Sequence, residues 1–285
     1  MKYLKTVSHL LQLVMTPLRS NWAFFTFIYL LGCICAWVTL PDARGAKLYD
    51  NLYPELFLDV YVLATILTIL PRRVKPWIRG FFYFVLYTAA VVDVYCFVKF
   101  QSTLTPTMLL LVGETDSREA GEFIRSCVSP DILMSGVGWV LLLMAVHILT
   151  AIKLRFPHFV PRNWCRLVRS ILVQSRFFLH RVRHVTEFAV LALLVFSIVM
   201  SAHNKTATLK LMTGKTIGDV EHTLTEKDHA VLYQPIYRLA FSIYANTLTA
   251  KQVDKLIATA DKVRVDSCSF TSPNIVLIIG ESYNR

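Results

Sequence analysis

Phe188-Ala-Val-Leu-Ala-Leu-Leu-Val-Phe-Ser-Ile-Val-Met200 is the stretch that decides the architecture of this chain. Ser197 is its one polar side chain. A soluble amphipathic helix keeps a polar face, and this run has none. Residues 186–202 approach the roughly 20 apolar residues a helix needs to cross a hydrocarbon core of about 30 Å. The flanks support the same reading. On the amino-terminal side lie Lys153, Arg155, Arg162, Arg166, Arg169, Arg176, Arg181 and Arg183, with no acidic residue among them. On the other side, from His203 to Ser272, the chain turns polar and carries mixed charge.

Four earlier runs share this apolar character: residues 22–40, 55–70, 77–98 and 132–152. With 186–202 they predict an α-helical integral membrane domain of about five transmembrane helices over residues 1–202. The 55% hydrophobic fraction and the mean hydropathy of +0.50 exceed those of an ordinary soluble domain. The net charge of +11 does not point to nucleic acid, because the basic residues fall in blocks between apolar runs. Lys2, Lys5 and Arg19 precede the first run, and Arg72, Arg73, Lys75 and Arg79 fall around the start of the third. These blocks and the 153–183 block alternate, so one orientation places all three in the cytoplasm. The amino terminus is then cytoplasmic, and everything after Ala202 lies across the membrane, in the periplasm of a bacterial inner membrane. The first run is longer than the apolar region of a signal peptide and has no small-x-small site before Pro41, so it reads as an uncleaved anchor.

The connecting segments are also informative. Residues 104–128 lie on the periplasmic side in this orientation. Thr105-Pro106 reads as a helix start, and Met108 to Val112 is too apolar to leave in water. That segment reads as an amphipathic helix, or a pair of short ones, at the membrane surface. The Lys153–His184 segment interleaves Arg with Phe, Trp and Leu and reads as an interfacial helix on anionic lipid. Residues 203–272 read as linker helices, with apolar periodicity through Ile236, Leu239, Ile243, Val253, Leu256 and Ile257.

Asp93 falls well inside the predicted 77–98 span and His147 inside the 132–152 span. Such groups are costly in lipid and often functional. They read either as a polar pair within the bundle or as the working groups of a small transporter. Asp59, Glu187 and Lys99 sit near span ends, where they can reach water. Of the six cysteines, Cys33, Cys35 and Cys96 fall in spans and Cys165 in the cytoplasmic loop. Only Cys127 and Cys268 face the oxidising side, and their pairing is left open by the sequence.

The final run, Pro273-Asn-Ile-Val-Leu-Ile-Ile-Gly-Glu-Ser282, has a different character. Ile275 to Ile279 is short and β-branched, which suits a strand buried on both faces of a parallel sheet. Gly280 permits a turn, and Glu281 then offers a carboxylate beyond the strand's carboxyl end, where α/β folds place their chemistry. Residues 273–285 therefore read as the start of an α/β domain.

The order of spans, periplasmic linker and Gly280-Glu281-Ser282 strand resembles the membrane-bound phosphoethanolamine transferases, sulfatase-like members of the alkaline-phosphatase superfamily. A second match is Thr115-Asp116-Ser117-Arg118-Glu119-Ala120. It stands where the family carries Thr-Asn-x-x-Glu-Ala, with Asp116 in place of Asn. The resemblance implies transfer of phosphoethanolamine from phosphatidylethanolamine to lipid A or lipopolysaccharide core through a covalent threonine intermediate. It assigns Glu281 to a zinc ion and makes Thr115, Asp116 and Glu119 candidates for contact with the lipid donor. Ser282 is not the implied nucleophile, which is a threonine further downstream. On this reading the chain is the front part of a longer protein and is inactive alone. The alternative is a non-catalytic membrane module that binds lipid or a partner.

Overall fold

The computed structural model describes residues 2–114, 130–155, 183–260 and 262, and all regular structure among them is helical. Helix α1 (Lys2–Ser20) carries Pro17, and its last turns meet α2 (Trp22–Val38) at a bend of 76°. Asn21 sits at that break. Its side-chain amide donates to the carbonyl of Ala64 at 3.0 Å and to Thr68 Oγ1 at 2.9 Å, which fixes the corner to the next helix. Helix α3 (Leu52–Ile69) stops before Pro71, which disfavours helical geometry in the residue ahead of it. Helix α4 (Lys75–Phe100) starts with Pro76 in its first turn and ends at Gln101 in the left-handed region, φ 54°.

Helix α5 (Pro106–Glu114) begins where Thr105-Pro106 predicts, and Thr105 Oγ1 accepts from the Met108 amide at 3.3 Å. The predicted 132–152 span is divided. A turn at Met134 and Ser135 separates α6 (Pro130–Leu133) from α7 (Gly136–Arg155). The final apolar run lies within a longer helix, α8 (Arg183–Leu211), followed by α9 (Ile217–Thr225) and α10 (Pro235–Ala260). The predicted strand at 275–279 and the 153–184 segment beyond Arg155 lie largely outside the described residues.

By length and composition, Leu52–Ile69, Lys75–Phe100 and Val185–Leu211 can each cross a membrane, and the bent pair α1–α2 adds a fourth if it is one span. Gly136–Ile152 is apolar but shorter. The chain is therefore a helical, membrane-spanning protein. Large apolar side chains such as Trp77, Phe84, Phe188 and Val199 point outward, as lipid-facing residues do, because hydrocarbon exacts no cost for them.

Helix α3 packs on α2 and α8, while α4 packs on α7 and α10. The main apolar core runs through Phe24, Leu56, Leu67, Val94 and Val140. The Phe24 ring lies 5.3 Å from that of Tyr83. A second, smaller core of Leu211, Val220, Ala230, Phe241, Ala245 and Leu248 joins the end of α8 to α9 and α10. The protein thus has a helical bundle and a small helical cap, each with apolar packing of its own.

Candidate functional site

Polar groups gather at the two ends of the bundle. At the end carrying the start of α2, Arg19 donates to Glu187 Oε1 at 3.0 Å and Lys75 Nζ to Ser20 Oγ at 2.9 Å. Glu187 is fully buried, contrary to the expectation that it reaches water. The guanidinium comes to it instead, from a helix remote in sequence.

The opposite end, beneath the cap, holds the larger constellation. Glu55 and Asp59 stand one turn apart on α3, hence on one face. Lys205 of α8 reaches both, with Nζ 3.2 Å from Glu55 Oε1 and 2.7 Å from Asp59 Oδ1. Its ammonium also donates to Tyr237 Oη at 2.6 Å and lies 4.5 Å from the centre of that ring, an attractive position over the ring's negative face. Tyr233 and Tyr237 both donate their hydroxyls to Asp59 Oδ2, the latter at 2.9 Å. Burial, reinforced by the facing Asp59 carboxylate, pushes both phenols well above their ordinary range, so they remain donors. Tyr49, stacked 5.7 Å from Tyr233, is pushed up to about 12, by burial first and by Glu55 second.

Asn204 completes this end. Its amide donates to both Glu55 oxygens, at 3.0 and 3.1 Å, and to the Val231 carbonyl at 3.1 Å. Its carbonyl accepts from the Val231 amide at 2.8 Å. Beside it, Arg238 pairs with the fully buried Asp93 at 2.5 Å, and Asp93 also accepts from the Leu104 amide at 3.0 Å.

This geometry corrects two readings. Asp93 does not pair with His147 but with Arg238 of the cap. His147 Nδ1 instead meets Tyr87 Oη at 3.0 Å, and its ring stacks on Phe27 at 4.3 Å. Each has its own partners, so the two do not form a shared relay. Asp59 likewise does not simply face water, since a lysine and two tyrosines enclose it. Glu55, Lys205, Tyr233, Tyr237 and Arg238 are the residues that sequence reasoning missed. A faint signal existed in the i, i+4 spacing of Glu55 with Asp59 and of Tyr233 with Tyr237.

Chemically the cluster is closed. Its three carboxylates, Glu55, Asp59 and Asp93, meet two cations, with Lys205 shared by the first two and Arg238 on the third, while Asn204 and the phenols donate to them. Groups so engaged anchor helices; they do not present a free base or nucleophile.

The residues singled out for donor contact and metal, Thr115, Asp116, Glu119 and Glu281, lie outside the described residues, as do Cys127, Cys165 and Cys268. Among the described residues no group of three His, Cys, Asp or Glu side chains is disposed to hold a metal ion. Cys33 is half-buried, and Cys35 and Cys96 are buried. Comparison with protein-family models, curated proteins and solved structures returns no match for the chain.

Proposed function

We propose that this chain is the membrane part of a phosphoethanolamine transferase of the bacterial inner membrane. The observation that carries the reading is the pairing of two motifs with one membrane architecture. Thr115 to Ala120 follows the α4–α5 region, and Asn274 to Ser282 follows the last cap helix. On this reading α7 is also a span, giving five. The amino terminus is cytoplasmic, and the cap and everything after it are periplasmic, as the alternation of basic blocks requires.

The chemistry follows from the resemblance. A threonine hydroxyl beyond Ser282 attacks the phosphorus of phosphatidylethanolamine. The bond from phosphorus to the diacylglycerol oxygen breaks, and diacylglycerol leaves with the proton. A hydroxyl or phosphate oxygen of lipid A or of the lipopolysaccharide core then takes the phosphoethanolamine from the threonine. Glu281 is the residue of this chain assigned to zinc, which when bound would polarise the phosphoryl oxygens. Glu119 carries the charge suited to the donor's ammonium. Both lipids are held by a bilayer, which is why such an enzyme has a membrane part.

Release of diacylglycerol from phosphatidylethanolamine in membranes tests the reading. A chain continued beyond Arg285 through one further domain, of ~100–150 residues or more, is expected to release it, and Glu281→Gln in that chain to stop it. Binding of phosphatidylethanolamine with no release from any form would favour a non-catalytic lipid-binding module instead.

A further inference from the structure

The bundle and the cap have separate apolar cores, and residues 231–238 join them through polar bonds gathered around one buried ring, Tyr233, which belongs to the bundle core. Asn204 grips both backbone atoms of Val231. Asp59 receives Tyr233 and Tyr237, Lys205 binds Tyr237, and Asp93 receives Arg238. Apolar contact with the bundle in this stretch comes from the same two tyrosines, Tyr233 and Tyr237. Helix α8 runs unbroken from its packing on α1 and α3 into the cap core, so the cap stays tethered whatever happens to residues 231–238.

The geometry points to a releasable clasp: residues 231–238 are an attachment of the cap, closed by Lys205, that opens while the cap core and the rest of the bundle core stay folded. The charges explain why. Lys205 is the cation shared by Glu55 and Asp59, and Glu55 is fully buried. Without it, two carboxylates one helical turn apart share a partly dry site with no ammonium between them. Like charges so placed repel, and a buried charge stripped of its partner is strongly unfavourable. The strain falls on the polar joint, because neither apolar core includes Lys205. The inference concerns this joint and does not depend on the transferase reading.

Hydrogen–deuterium exchange on the protein in lipid nanodiscs tests it. Three segments are followed: residues 231–238, α10 residues 242–248 in the cap, and α4 residues 85–92 in the bundle. In Lys205→Met, deuterium uptake at 231–238 is expected to rise at least tenfold in rate, with the other two segments unchanged. Adding Glu55→Gln and Asp59→Asn to Lys205→Met removes both charges and is expected to restore most of the protection. Unchanged uptake at 231–238 in Lys205→Met would overturn the clasp. So would a parallel rise in all three segments, which would mean that cap and bundle open only as one unit, or a failure of the added substitutions to restore protection.

Discussion

Asp93 shows what the residue scale contributes. The carboxylate is fully buried on α4, and its charge is met by Arg238 and one backbone amide. Removing the guanidinium with Arg238→Met strands that charge, at a cost of about 3–5 kcal/mol for a broken buried pair. A large fall in the unfolding midpoint in detergent is the expected result, with Asp93→Asn/Arg238→Met recovering part of it. An Arg238→Met protein as stable as the parent would show that the pair contributes nothing. Gly32 makes a second case. A Cβ there would stand 2.7 Å from Leu56 Cδ1 and 3.0 Å from Gln234 Nε2. Gly32→Ala therefore forces α2 and α3 apart or displaces Gln234, with overpacking costing about 1–3 kcal/mol, readable in the same melt. Sequence reading found Asp93 as a costly intramembrane acid but chose the wrong partner. Hydropathy marks a charge within a span. It carries no information about which distant helix supplies the counter-ion, and here the partner lies 145 residues away.

At the scale of elements, α9 is the helix whose start is most completely specified. Thr216 Oγ1 accepts from the Asp219 amide, and Asp219 Oδ2 accepts from the Thr216 amide at 3.0 Å, a reciprocal capping box. Thr216→Ala is expected to cost about 1 kcal/mol, seen as faster amide exchange across α9. Hydrogen bonds from Thr216 hold the Asp219 carboxyl below its ordinary value. A carboxylate with a depressed folded-state value favours the folded form once pH is above its unfolded value. That contribution is lost as pH falls below about 4. Amide protection in α9 should therefore drop on acidification in the parent, and should drop less in Asp219→Asn. Equal pH dependence in the two would assign the effect to other groups. Element cores were legible because apolar runs and prolines mark them directly: Pro71 ends α3, Pro76 opens α4 and Pro106 opens α5. The α1–α2 corner and the turn at Met134–Ser135 were not. The corner depends on tertiary anchoring by the bonds from Asn21 to α3, which no local pattern announces, whereas the turn is closed locally, Ser135 Oγ donating to the Ile132 carbonyl at 2.5 Å inside an otherwise apolar run.

Among the described residues the molecule is a bundle whose larger polar clusters lie at its two ends, with the buried His147–Tyr87 bond between them. Arg19 and Lys75 lie at one end, and the Glu55–Asp59–Lys205 cluster with the cap lies at the other. If the basic end is cytoplasmic, then in a protein whose six native cysteines are replaced by serine, a cysteine placed at Asp42, in the exposed α2–α3 loop, should react with an impermeant thiol reagent added outside spheroplasts. One placed at Arg73 should react only after lysis. The reverse pattern would invert the orientation and move the cap into the cytoplasm. The membrane architecture was readable because a bilayer imposes length and polarity on a helix. The catalytic assignment rests on Thr115, Asp116, Glu119 and Glu281 as sequence, and the cluster under the cap serves attachment. The most direct test of the account is therefore chemical. Lipid A and core oligosaccharide are analysed by mass spectrometry from bacteria expressing this 285-residue chain, and from bacteria expressing it continued through a further domain. The account predicts a gain of one phosphoethanolamine with the continued chain, none with the 285-residue chain, and none with the continued chain bearing Glu281→Gln. No gain with the continued chain, or an undiminished gain with Glu281→Gln, would contradict it.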